Sequence, residues 1–159
     1  MASEPPLILA FDTSAAHCAA VLVSGDRVLG QRDEAMARGQ AERLIPLLED
    51  LLAGAGHRWA DLDGLAVVTG PGNFTGLRLA IAAARGLAFG LRIPAVGVSV
   101  FEALADGRSG AITVVLHDKR GTLRQRFRDG VPLAAPEAGP DDGTPATGAR
   151  ADLATVARI

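Results

Sequence analysis

Leu65-Ala66-Val67-Val68, then Gly70-Pro71-Gly72-Asn73-Phe74-Thr75-Gly76, then an apolar run from Leu77 to Phe89, is the stretch on which the fold turns. It reads as a buried strand, a glycine-rich turn and a helix. Such a turn leaves backbone N–H groups unpaired at the positive end of the helix dipole, where an anion or a partner's carboxylate can sit. It serves equally as a tight βα connection in which glycine supplies positive φ and Thr75 caps the helix. Both uses stay open at this point. Gly-Lys-Ser/Thr is missing, so this is no Walker A loop, and the spacing excludes Gly-x-Gly-x-x-Gly.

With 159 residues, 48% of them hydrophobic and 21% charged, the chain has room for one full core and a fragment of a second. A formal net charge of −2 supplies no global field to recruit nucleic acid, so any contact with RNA is expected only indirectly, through a partner or a local patch. The lone Cys18 excludes an intrachain disulfide and fits a reducing, cytoplasmic setting. Leu7 to Phe11 ends at Asp12, far short of the roughly 20 apolar residues of a membrane span, so no membrane association is expected.

Around the decisive stretch, Leu7 to Phe11, His17 to Val23 and Arg27 to Asp33 read as a three-stranded meander. Between Gln40 and Ala53, Ala41, Leu44, Ile45, Leu47, Leu48, Leu51 and Leu52 recur at helical spacing over an arc of roughly 160°, wider than the ~100° needed to cover one sheet. Part of that face is expected to want a second partner. Pro46 removes a helical hydrogen bond and predicts a bend or a late start. Ile93 to Val98 gives another strand and Ser99 or Val100 starts a short helix. The order predicts an α/β fold, a mixed five-stranded sheet with helical crossovers in residues 1–108. Residues 109–159 then hold an incomplete domain: a hairpin over Ala111 to Phe127, an Ala/Pro/Gly-rich loop at 134–151, and the start of a helix at Asp152.

Ile8-Leu9-Ala10-Phe11-Asp12-Thr13-Ser14, Arg38 to Pro46, Gly70 to Arg78, Gly86-Leu87-Ala88 and Ile93 to Ser99 together resemble the TsaB (YeaZ) family of the actin-like ATPase superfamily. The resemblance implies a ribonuclease H-like first domain with a truncated second one. It further implies a non-catalytic subunit of the machinery that makes threonylcarbamoyladenosine (t6A) beside the tRNA anticodon. Its implied partners are the TsaD transferase, the TsaE ATPase in the larger assembly, and a second copy when the chain is alone. Asp118 and Arg120 resemble the family's Asp-x-Arg.

The resemblance also sets out the site residues. In the superfamily's ATPases the Asp12-Thr13-Ser14 segment holds metal-bound phosphate, and Gly72, Asn73, Thr75 and Gly76 would join it; here Asp12 capping a turn is the structural alternative. No cofactor is expected on the chain alone, with ATP or ADP and Mg at the interface of the complex. TsaD's two metal-binding histidines fall on Val100 and Leu104, which cannot ligate, so neither a metal nor a catalytic residue is expected. His17 and His57 read as surface residues beside turns, and His117 beside Asp118 as a slight lead.

The interface is placed on Leu44, Leu48 and Leu51 of the first helix and on Leu77, Arg78, Ala80, Ile81, Ala84 and Ala88 of the second, whose short side chains admit another helix closely. With Thr75 as cap, Arg78 would be the third helical residue, where the dipole favours an acid; with the N–H groups of Gly72 to Gly76 it is therefore expected to face an acidic group of the partner or a nucleotide phosphate held at the subunit junction. The alternative from another class is an ATP-dependent phosphotransferase or ATPase, and a third is a metalloprotease of the glycoprotease type.

Overall fold

The computed structural model describes residues 4–118, 120–140, 146–147 and 150–159. They fall into two compact units, Met1–Val98 with Leu153–Ile159, and Ser99–Asp152. The division comes at Ser99 rather than at 108, because the helix after Val98 packs on the strand that follows it.

In the first unit β1 (Leu7–Asp12), β2 (His17–Ser24) and β3 (Arg27–Ala35) form the meander, followed by α1 (Gln40–Gly54), β4 (Gly64–Val68), α2 (Phe74–Leu91) and β5 (Ala95–Val98). The sheet order is β3-β2-β1-β4-β5, with β1 antiparallel to β2 and parallel to β4, and β4 parallel to β5. This is the mixed five-stranded sheet read from the sequence. The register sets Leu9 beside both Leu22 and Leu65, so Leu7, Leu9 and Phe11 share a face with Cys18, Ala20, Leu22, Leu65 and Val67. Strand alternation sends Ala10, Val21, Val23, Ala66 and Val68 to the other face, and these are buried as well.

Both crossover helices contribute to the Leu9–Phe11 side of the core. Leu44, Leu47, Leu48, Leu51 and Leu52 of α1 are all buried there, and α1 lies across both β2 and β3. The wide apolar arc is therefore used largely on the chain's own sheet, with Ala41 and Ile45 left outward. Gly30 on β3 makes room for this, since a Cβ there would stand 3.0 Å from Leu51 Cδ1. Arg43 fastens the helix to β3, donating from Nε and Nη2 to the Glu34 carboxylate at 2.8 and 2.6 Å. Pro46 neither delays nor interrupts the helix; it sits on the exposed side of a helix that starts at Gln40, after Gly39 at φ 85°.

The second unit opens on α3 (Val100–Ala105), capped by a box in which Ser99 and Glu102 exchange hydrogen bonds of 2.8 and 3.1 Å. The hairpin β6 (Ala111–Asp118) and β7 (Gly121–Arg128) follows, and β8 (Val131–Pro132) and β9 (Glu137–Gly139) both pair with β7. The stretch read as loop 134–151 thus contains a short strand; its residues 141–145 and 148–149 lie outside the described residues. The expected terminal helix is one turn, α4 (Leu153–Val156), and it belongs to the first unit, where it packs on β1 and β2.

Leu48 has no exposed surface, whereas Ile45 on the same helix is 38% exposed. Leu48→Asp should unfold the chain, since an unpaired buried charge costs several kcal/mol out of a total of about 5–15. Ile45→Asp should stay within about 1 kcal/mol of wild type. Thermal circular dichroism of the two variants checks this, and a Leu48→Asp chain that melts like the parent would refute the packing of α1.

Candidate functional site

Two loops meet at the carboxyl end of β1. Asp12, Thr13 and Ser14 are all buried, and the turn from Gly70 to Gly76 is laid across them. Thr13 Oγ1 donates to the Gly76 carbonyl at 2.7 Å, and the Asn73 N–H donates to the Ser14 carbonyl at 2.6 Å. The approach is so close that a Cβ on Gly76 would collide with the Thr13 carbonyl, and one on Gly72 would stand 2.7 Å from both Ser14 Cβ and its carbonyl oxygen. These glycines are required by backbone meeting backbone.

Asp12 is committed in the same way. Its Oδ1 accepts the Ser14 N–H at 2.7 Å, and its Oδ2 lies 3.0 Å from His17 Nε2. Burial works to raise the Asp12 carboxyl, but the hydrogen bonds from His17 and Ser14, with the His17 charge, outweigh it and hold the group below its ordinary value. Gln40, the first residue of α1, donates from Nε2 to the carbonyls of Ala15 and His17 at 2.7 and 2.9 Å, tying the loop to the helix. His17 is thus a buried partner of Asp12 and not the surface residue read from the sequence. The short connection between β1 and β2 carried the signal, because so brief a link holds Asp12 and His17 at adjacent strand ends.

Asp12, Thr13, Ser14, Gly72, Asn73, Thr75 and Gly76, read from the sequence as phosphate-binding, lie together where the two loops meet, and several of their polar groups bond one another. The Asp12 carboxylate and the Thr13 hydroxyl are bonded within the chain, and the Asn73 side chain takes the N–H groups of Thr75 and Gly76 at 3.0 and 3.4 Å. Asn73, not Thr75, is the N-cap of α2. Asn outranks Thr at that position, which was the signal available. Arg78 consequently sits fifth in the helix, beyond the first turn, and breaks no local rule. Its guanidinium lies 5.3 Å from the centroid of the Phe74 ring.

The interface residues divide. Leu44, Leu48 and Leu51 face the chain's own core, and so do Ala80 and Ala84, whose short side chains bring α2 close to the sheet. These five are corrected from interface to core, because no partner can reach them. Arg78 is exposed, and Leu77, Ile81 and Ala88 are half-buried. The outward side of α2 instead carries Phe74, Ala82, Arg85, Gly86, Phe89 and Gly90 with Arg78, and of its 18 residues only Gly76, Ala80 and Ala84 are buried. Phe74 and Phe89 are 68% and 89% exposed.

In the second unit Asp118 accepts the Arg120 N–H at 2.7 Å and pairs with its guanidinium across the β6–β7 turn. His117 Nδ1 lies 2.9 Å from Thr122 Oγ1 on the neighbouring strand. Val100 and Leu104 stand one turn apart on α3. Among the described residues no three His, Cys, Asp or Glu side chains converge as a metal site would require. Burial raises the Cys18 thiol to about 11, which makes it a poor nucleophile.

The family model for TsaD, tRNA N6-adenosine threonylcarbamoyltransferase, matches residues 26–116, more than half of the chain. The Escherichia coli tRNA threonylcarbamoyladenosine biosynthesis protein TsaB is 36% identical over 111 residues, 68% of this chain and 48% of that protein. The structure of YeaZ from Pseudomonas aeruginosa superposes with a TM-score of 0.69 at 29% identity, covering 84% of this chain and 67% of that one. The chain belongs to the TsaB (YeaZ) family, within the actin-like ATPase superfamily. A Maricaulis maris tRNA N6-adenosine threonylcarbamoyltransferase is 41% identical over 92 residues, 24% of its length. The chain spans about half the length of the E. coli TsaB it matches.

Two outcomes follow from the crossing of the loops. Gly76→Ala should destabilise the chain by about 1–3 kcal/mol or more, because the methyl meets backbone that cannot move aside; urea unfolding measures it, and a neutral result would refute the contact. The lowered Asp12 carboxyl means that the unfolded chain takes up that proton first as pH falls. Its stabilisation is complete above the unfolded value of about 3.9 and is lost as pH drops through the lower folded value. Asp12→Asn should therefore flatten the acid limb of the stability–pH curve, and an unchanged limb would show that the carboxylate is not held as described.

Proposed function

We propose that this chain is a non-catalytic, cytoplasmic binding subunit of the t6A machinery, docking through the outward side of α2 on the TsaD transferase and activating it. The observation that carries the reading is the pair Gly86 and Gly90. A glycine inside a helix costs about 0.5–1 kcal/mol relative to alanine. At both positions a Cβ would meet nothing within 4 Å, so nothing in the chain's own packing asks for glycine. With Ala82 they form a smooth track at i, i+4 and i+8, along which the backbone of a partner helix can lie closely, and Phe74 and Phe89 stand exposed along one side of it as apolar anchors. The relatives' names, which place them in tRNA threonylcarbamoyladenosine biosynthesis, support TsaD as the partner in this reading.

By length and composition α2 would also cross a membrane. It is, however, the crossover between β4 and β5, neighbours in one parallel ladder, and its buried Ala80 and Ala84 lie on that sheet. A protein partner satisfies its outward side without dismantling the sheet. The phosphotransferase reading has no comparable support, since the groups it needs are bonded to one another.

Gly86→Ala with Gly90→Ala should stabilise the isolated chain by about 0.5–1 kcal/mol at each position and weaken TsaD association by about 1–3 kcal/mol through overpacking. Thermal melting and titration calorimetry with purified TsaD read the two effects. A double variant, or a Phe89→Glu variant, that binds TsaD as well as wild type would reject this face.

A further inference from the structure

We infer that the helix seated on α2 is acidic, and that the α2 of a second copy is not the preferred occupant at low ionic strength. This rests on the docking reading and adds the chemistry of the partner. Phe74–Leu91 contains no Asp or Glu, and its charges are Arg78 and Arg85, with Arg92 directly after it at the C-cap. All three are exposed on the side that the glycine track occupies or borders. None of them forms an ion pair among the described residues; Arg78 lies over the Phe74 ring. The acids that look outward from the neighbouring helix are Glu42, Glu49 and Asp50 of α1, and Asp50 is engaged by Arg43 at 3.1 Å.

A two-fold pair is isologous, so α2 laid on α2 of a second copy along the glycine track brings arginines towards arginines. Like charges juxtaposed at a close contact oppose association and serve to exclude that partner. A partner helix with small residues along its centre and carboxylates at its flanks meets the same track with every arginine answered. Flanking ion pairs of this exposed kind are modest one by one, but their sign decides between two occupants that both fit the groove.

The test compares two associations of the same face across 50, 150 and 500 mM NaCl. Affinity for purified TsaD should fall as salt rises, while self-association of the chain alone, followed by sedimentation, should hold steady or rise. Arg78→Ala with Arg85→Ala should weaken TsaD binding roughly two- to thirtyfold at 50 mM and far less at 500 mM, and the double Lys variant should restore most of it. Both residues are exposed, so these variants fold. As an independent reading, the Gly86→Cys chain, oxidised alone at 50 mM, should form little disulfide-linked dimer, because Cys18 is buried and does not compete. Rapid cross-linking of the Gly86→Cys chain at low salt would overturn the inference. So would TsaD binding that is sensitive to Phe89→Glu but indifferent to salt and to both arginines. Loss of the Phe89→Glu effect itself would reject the docking reading beneath it.

Discussion

The contact of one backbone with another at Gly76 and Thr13 governs the position of everything on its side of the sheet. Because the Gly76 carbonyl takes the Thr13 hydroxyl and no Cβ intervenes, the first turn of α2 is pressed onto the end of β1. Asn73 then caps the helix from within the same loop, fixing its axis. The start of α1 is drawn to the same point by Gln40, and Asp12 with His17 locks the loop from beneath. The Asp12 carboxylate and the Thr13 hydroxyl are both hydrogen-bonded within the chain. What the cluster provides is a rigid anchor for two helices.

From that anchor follows the contrast between the helices. α1 meets the sheet with five leucines and has little apolar surface left over. α2 meets it most deeply with Ala80 and Ala84, side chains too small to need much room, so the helix rides low, with Leu79, Ile81, Leu87 and Leu91 packed half-buried beside them and Phe74, Ala82, Gly86, Phe89 and Gly90 left outward. The same alanine-rich composition that looks like an interface in sequence is, on one side, the means of lying close to the chain's own strands. The proposed docking side carries Gly86 and Gly90, where small size has no internal explanation.

The fold was legible because each strand alternates or runs apolar between clear turns, and each helix carries its 3.6-residue period. The site was legible as a meeting of two motifs but not in its use, since sequence shows donors and acceptors without showing whether they are already bonded to each other. His17 illustrates the gap: a histidine after a turn reads as solvent-exposed until the strand pairing places it against a carboxylate. Leu48 illustrates another. A broad apolar arc states how much surface a helix must cover, yet not whether one strand or two lie beneath it, and here both β2 and β3 do. Thr75 reads as the cap because it stands so near the apolar run, whereas Asn73, two residues earlier, has the better-placed acceptor.

α2 is held at both ends by neighbouring strands of one ladder, yet buries few of its own residues. Its exposed apolar surface adds to the chain's stability only when something lies on it. Covering that helix contributes stability in proportion to partner abundance, by mass action. An orphan copy is therefore locally open for more of the time, and proteases that sample open states would clear it sooner than an assembled one. Supply of the subunit would then track demand for it with no regulator beyond the helix itself.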